Sequence, residues 1–240
     1  MTERMPTMPS RTSLVAPIAL VLALVAVAPV AADTVPDLTP YLVADRAAEV
    51  ALARSAAPKD VSGPARVLVM TAKGFVEAEP GTNGFTCLVL RSFAAPPADP
   101  NFWNPRVRAP HCFNRPGVRT VLPEILQRIE WILAGVSPTE AEARGRRGYG
   151  RREFPKPEPG AMAYMLSPQQ HLQDGDEPHW MPHLMLYYDR SMKAADWGAG
   201  GMTAPVIDAT AGDPQAPVIT LLVPVSRWSD GTPFVPHAGH

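Results

Sequence analysis

The chain has 240 residues, 22 Lys and Arg against 23 Asp and Glu, and 46% hydrophobic residues. A near-neutral chain carries no broad positive field, which excludes bulk attraction to nucleic acid or to an anionic membrane surface. Its 29 prolines, about twice the usual share, are scattered among aromatic and aliphatic residues, which predicts ordered loops of restricted backbone.

Arg4 and Arg11 precede an apolar run over residues 14–28, broken only by Pro17, and Pro29, Val30, Ala31 and Ala32 follow. A charged start, a short apolar stretch and small residues before Asp33 form the order of a secretory signal peptide. Residues 1–32 are therefore expected to be removed after Ala32. The start lacks an Arg-Arg pair, so the Sec route is expected, with a periplasmic or secreted destination. A retained anchor is the rival reading, but the run is short for a bilayer span and carries two prolines. It holds no cysteine for a lipid anchor. Residues 33–240 then form one domain, with 33–40 as an extended lead-in and 226–240 as a polar tail.

Thr39 and Pro40 read as the start of a helix over 41–57, rich in Ala, Glu, Arg and Leu and stopped by Pro58. Strands are expected over 65–71, 75–79 and 85–93, joined by turns at Lys73-Gly74 and over 80–84, in an antiparallel meander. In the third, Cys87, Val89 and Arg91 share one face and Thr86, Leu88 and Leu90 the other. Residues 94–116 read as a proline-rich loop whose Phe102, Trp103, His111, Cys112 and Phe113 pack over the sheet. Cys87 and Cys112 are the only cysteines. In an oxidising compartment such a pair is most simply a disulfide. Two buried free thiols, or a reactive Cys112 beside His111, are the alternatives.

The clearest helix comes next. Leu122, Ile125, Leu126, Ile129, Ile132 and Leu133 recur at helical spacing, with Thr120 as cap and Gly135 at the end. Ser137, Pro138 and Glu140 start a second helix with a capping box, expected to fade near Gly145. Arg144, Arg146, Arg147, Arg151 and Arg152 then read as a solvated, mobile loop or, functionally, as a site for an anionic partner. Further strands are expected over 161–167, 183–189, 205–209 and 218–225. The glycine loop from Trp197 to Gly201 lacks the strand–loop–helix setting of a phosphate cradle. The fold class is α+β: a single domain with a mainly antiparallel sheet, two or three helices and long proline-rich loops.

The densest group of functional side chains is Pro178, His179, Trp180, Met181, Pro182 and His183, running into a strand that ends at Asp189. On a helix the two histidines would share a face. Pro182 and the strand-like run argue against a helix, and in extended chain residues four apart are about 13 Å apart. They could then hold one metal only if the chain turned at Met181-Pro182. Trp180 stands where a zinc protease needs its Glu, so that motif fails. No metal is assigned and no cofactor is implied. If a metal binds, His179 and His183 with Met181 or Met185 would suit copper, with a third ligand from His171, Asp174, Asp176 or Glu177. The bland reading is that the histidines only hydrogen-bond within a strand-edge loop. Met185, Tyr187 and Asp189 are in phase with His183, and Leu184, Leu186 and Tyr188 face the other way, which predicts a central strand covered on both sides. A histidine entering such a strand needs a partner. The serines lack a nucleophile elbow, so no catalytic residue is named.

His179, Trp180, His183 and Asp189 are therefore the candidate ligand-binding residues. They point to a pocket for a small molecule or an envelope component, in a binding protein or a hydrolase-like enzyme. A non-catalytic structural or interaction module of the envelope is the competing reading, and a copper- or zinc-binding protein a third. The runs Thr82-Asn83-Gly84-Phe85-Thr86-Cys87, Phe102-Trp103-Asn104-Pro105, His111-Cys112-Phe113-Asn114 and Pro178-His179-Trp180 onward to Tyr187 resemble those of an uncharacterised group of exported bacterial hypothetical proteins. The resemblance spans most of residues 33–240. It implies no activity and supplies no catalytic residues.

Overall fold

The computed structural model describes residues 1–2, 35–175 and 180–235, within which the fold belongs to the unit Ala32–His240. The expected cleavage site after Ala32, and His179, His237 and His240, lie outside the described residues. Among the described residues, no helix is long and apolar enough to cross a membrane.

Eight strands among the described residues make one sheet: β1 (Arg66–Thr71), β2 (Gly74–Glu79), β3 (Thr86–Leu90), β4 (Ala109–Phe113), β5 (Met162–Met165), β6 (His183–Asp189), β7 (Ile207–Asp208) and β8 (Val218–Pro224). Their order is β2-β1-β3-β4-β5-β6-β8-β7. Every neighbouring pair is antiparallel except β1 and β3. With five helices among the described residues, this is a single α+β domain.

The pleat sorts β3 as the alternation predicts. Cys87 and Val89 join Val67 and Cys112 under Ala53, Ala56 and Ala57 of helix α1 (Arg46–Arg54) and the residues just after it. Alanines let the helix backbone approach the sheet closely. Cys87 lies directly opposite Cys112, and the two form a disulfide. On the other face Leu88 and Leu90 meet Phe113, Val121, Leu122, Ile129 and Ile132 of the main core.

Helix α1 begins later than its composition suggests. Residues Thr39–Tyr41 form a 3-10 turn, and Asp45 caps α1 by accepting from the Ala47 N–H at 2.8 Å. Buried Tyr41 donates to the Trp103 carbonyl at 2.6 Å, and its own carbonyl accepts from Arg91 Nε at 2.7 Å. These bonds hold a bend that a continuous helix would remove. A short helix α2 (Lys59–Ser62) follows Pro58.

Residues 94–116 are not one long loop. They contain β4 and the start of helix α3 (Arg115–Thr120), so Cys112 sits on a strand. Pro110 argues against a central strand. Here β5 pairs with β4 only at Cys112 and Phe113, and Pro110 faces Val89 alone. Asn114 caps α3 through the Gly117 N–H at 3.0 Å. Helix α4 (Leu122–Leu133) follows at once, so Thr120 is not its cap. The Thr120 hydroxyl instead donates to the Pro116 carbonyl and accepts from the Glu158 N–H.

Helix α5 (Pro138–Arg151) runs straight through the expected basic loop. Two of its three glycines are contact points. A Cβ on Gly145 would stand 2.4 Å from Glu124 Oε1 of α4, and one on Gly148 would stand 2.6 Å from the Phe154 ring. Four of the five arginines are answered within the chain. Arg144 and Arg147 pair with Glu140, Arg146 pairs with Glu142 and Asp213, and Arg151 reaches Glu153 at 3.9 Å. The stretch 226–235 is likewise no free tail, because Trp228 and Phe234 pack edge to face and the Ser229 N–H donates to the Leu166 carbonyl.

Candidate functional site

Between the sheet and helices α4 and α5 lies a cavity of about 500 Å³. That size falls within the range of small-molecule sites. Its floor is one face of the sheet: Leu90, Ala109 and His111, Met165, His183 and Met185, then Tyr187, Thr220 and Leu222. Register explains this set. Met165 lies opposite His183, Met185 opposite Leu222, and Tyr187 opposite Thr220. Carrying the Cys112–Tyr164 and Phe113–Ala163 pairing one step further sets His111 opposite Met165. Three neighbouring strands therefore place His111, Met165 and His183 in one row facing the cavity.

Both histidines are buried. His111 Nδ1 lies 2.9 Å from the Ala109 carbonyl, and His183 Nδ1 lies 2.8 Å from the Met181 carbonyl. A carbonyl oxygen only accepts, so each Nδ1 carries the proton. Burial takes the His111 ring down to about 4, with the Ala109 carbonyl opposing the shift and neighbouring His183 adding to it. Burial also lowers His183, against the Met181 carbonyl. Both rings are thus neutral near pH 7, and each Nε2 keeps a lone pair. His111 stacks on Phe113, which stacks on Tyr187, and this column of rings fixes the floor.

The wall is charged but internally matched. Arg128 pairs with Glu124 along α4 at 3.2 Å and donates to the Ala94 carbonyl at 2.9 Å. Arg146 of α5 reaches Asp213 at 2.6 Å and so ties the segment before β8 to the helix. Arg91, also lining the cavity, forms a fully buried pair with Glu49 at 2.8 Å. Glu49 Oε1 accepts as well from the Met70 N–H, so the pair sits in a hydrogen-bonded cage. Toward the Leu90 end, Ser92 lines the cavity with a buried hydroxyl that has no hydrogen-bond partner among the described residues.

The sequence-derived candidates are distributed unevenly. His183 is on the cavity floor, and Trp180 lines the cavity with its ring centroid 6.4 Å from that of His183. Asp189 does not line it. That carboxylate pairs with Lys156 at 2.9 Å and caps the turn at Ser191, which together hold it down at about 2. His179 lies outside the described residues. Strand β6 is interior but unequally covered: His183 and Tyr187 are buried, whereas Leu184, Leu186 and Tyr188 are half-buried. His111 takes the second place at the floor. It was hidden in a segment read as loop, although Ala109, His111 and Phe113 already alternate with Pro110 and Cys112. Among the described residues, no group of three or more His, Cys, Asp or Glu side chains is placed to hold a metal. No protein-family model, curated protein or solved structure matches the chain.

Proposed function

We propose that the protein is an exported binding protein for a small, largely apolar molecule that carries hydrogen-bond donors. The observation that carries this reading is the cavity floor, where two buried, neutral imidazoles present Nε2 lone pairs among apolar side chains. Such lone pairs attract O–H and N–H donors and repel anions. The arginines of the wall offer an anion little, because Arg91, Arg128 and Arg146 already face carboxylates. The unpartnered Ser92 hydroxyl adds a third polar point at the other end. Export rests on the N-terminal pattern, with cleavage after Ala32 on the Sec route to the periplasm or medium. The Cys87–Cys112 disulfide supports an oxidising compartment.

Thr220→Trp tests the pocket. Thr220 faces the cavity from β8, opposite Tyr187, so an indole there intrudes on its floor. The neutral dye Nile red should bind the native protein saturably and the variant much more weakly, with unchanged circular dichroism. Native mass spectrometry of the exported protein should show a small-molecule adduct that the variant lacks, on a chain that begins at Asp33. Absence of both signals would favour a structural module of the envelope, and a full-length mass in the membrane fraction would sink export.

A further inference from the structure

We propose that the His111–Met165–His183 row is a binding site for cuprous ion, with Met185 as a fourth donor. The row is built by register, with Met165 opposite His183 and, one step beyond the β4–β5 pairing, opposite His111. All three residues line the cavity, as does Met185, the next residue on the same face of β6. Each imidazole is turned by a backbone carbonyl on Nδ1, Ala109 for one and Met181 for the other. That outer-shell bond is the one that commonly orients a metal-ligating histidine and leaves Nε2 as donor.

The donor set selects the ion. Thiolates are absent from it, because Cys87 and Cys112 are joined to each other in the core on the opposite face of the sheet. Of the four carboxylates that line the cavity, Glu124, Glu142 and Asp213 are held by Arg128 and Arg146, and Asp99 accepts from the Asn101 N–H in its own turn, outside the row. What remains is two neutral imidazoles and one or two thioethers, which are soft ligands. Neutral donors in an apolar cavity also leave the ion's charge uncompensated. A monovalent ion suffers far less from this than zinc or cupric ion, since the cost of burying charge rises steeply with its magnitude. The site does not depend on the organic ligand proposed above and could coexist with it in the same cavity.

Anaerobic competition against the bicinchoninate complex of Cu(I) tests the site on the purified exported protein. Native protein should remove one equivalent of Cu(I), and Zn(II) should not compete. His183→Asn and Met165→Leu should each weaken Cu(I) binding at least tenfold. Met202→Leu, at an exposed methionine elsewhere, should leave it unchanged. Met165→Leu conserves volume and so keeps the test valid if the histidine variants fail to fold. X-ray absorption of the loaded protein should show both nitrogen and sulfur neighbours. Stoichiometric Cu(I) binding that survives both Met165→Leu and His183→Asn, or none in native protein, would overturn the proposal. Nile red binding without copper binding would leave the pocket reading standing and remove this one.

Discussion

Acid should unfold this protein partly through His111. The fold holds that ring neutral, with its pKa taken down to about 4 by burial. In the unfolded chain the ring titrates near 6.5. As pH falls through 6.5 the unfolded state takes up a proton that the folded state refuses, so stability declines. The decline ends near pH 4, where the folded ring is protonated too. Between pH 7 and pH 4.5 the loss from this one group is roughly 2 kcal/mol by proton linkage. His183 adds to it in the same direction. Urea unfolding followed by circular dichroism, on metal-free protein at both pH values, measures the total. His111→Gln keeps a polar side chain but cannot titrate, whereas the carboxylates titrate equally in both proteins. The native protein should therefore lose about 2–3 kcal/mol more than the variant over this range. Equal losses, within about 0.5 kcal/mol, would mean that His111 is not held neutral in the fold, and the lone-pair argument for the cavity floor would fall with it.

Other parts of the fold give sharper mutational tests. Arg91→Met strands the buried Glu49 carboxylate and should cost about 3–5 kcal/mol, whereas Glu49→Leu combined with Arg91→Met should recover much of that in thermal melts. Reducing the disulfide reopens a loop of 25 residues and should lower stability by about 3.5 kcal/mol, and non-reducing peptide mapping should recover Cys87 linked to Cys112. Gly148→Ala should be destabilising by about 1–2 kcal/mol, since crowding against the Phe154 ring outweighs a helix-propensity gain of about 1 kcal/mol. Gly150→Ala, with open space around its Cβ, should show only the gain.

Local chemistry made much of the fold legible. Strand β6 has the bounds that its alternation suggests, His183 to Asp189, and α4 covers the helical spacing from Leu122 to Leu133. Both are long enough for their period to stand out. Strand β4 was hidden because prolines at 105, 110 and 116 read as loop, and only the limited reach of β5 makes Pro110 tolerable there. The continuation of α5 past Gly145 was hidden for a different reason. Gly145 and Gly148 mark close approaches to Glu124 and Phe154, which a single sequence does not reveal, while Glu140 and Glu142 hold Arg144, Arg146 and Arg147, which looked mobile.

The site was only half legible, and the missing half follows from topology. His183 stood out because its neighbours in the chain are aromatic, proline-bracketed and followed by a strand. His111 also has Pro110 and Phe113 beside it, but no long apolar strand follows to mark it. It joins the floor because β4 pairs with β5 and β5 with β6, which sets Met165 between two histidines far apart in the sequence. Neither histidine has a side-chain partner for its Nδ1; each uses a carbonyl two residues earlier in its own chain. This arrangement keeps Nδ1 satisfied without spending Nε2. If the rings served only to stabilise the fold, replacing either by Phe would preserve packing and cost at most the bond to that carbonyl, roughly 1–3 kcal/mol. If they serve a ligand or ion, His111→Phe and His183→Phe should leave a cooperative fold that has lost native-adduct and Cu(I) binding together. Variants that retain both kinds of binding would return these histidines to a purely structural role.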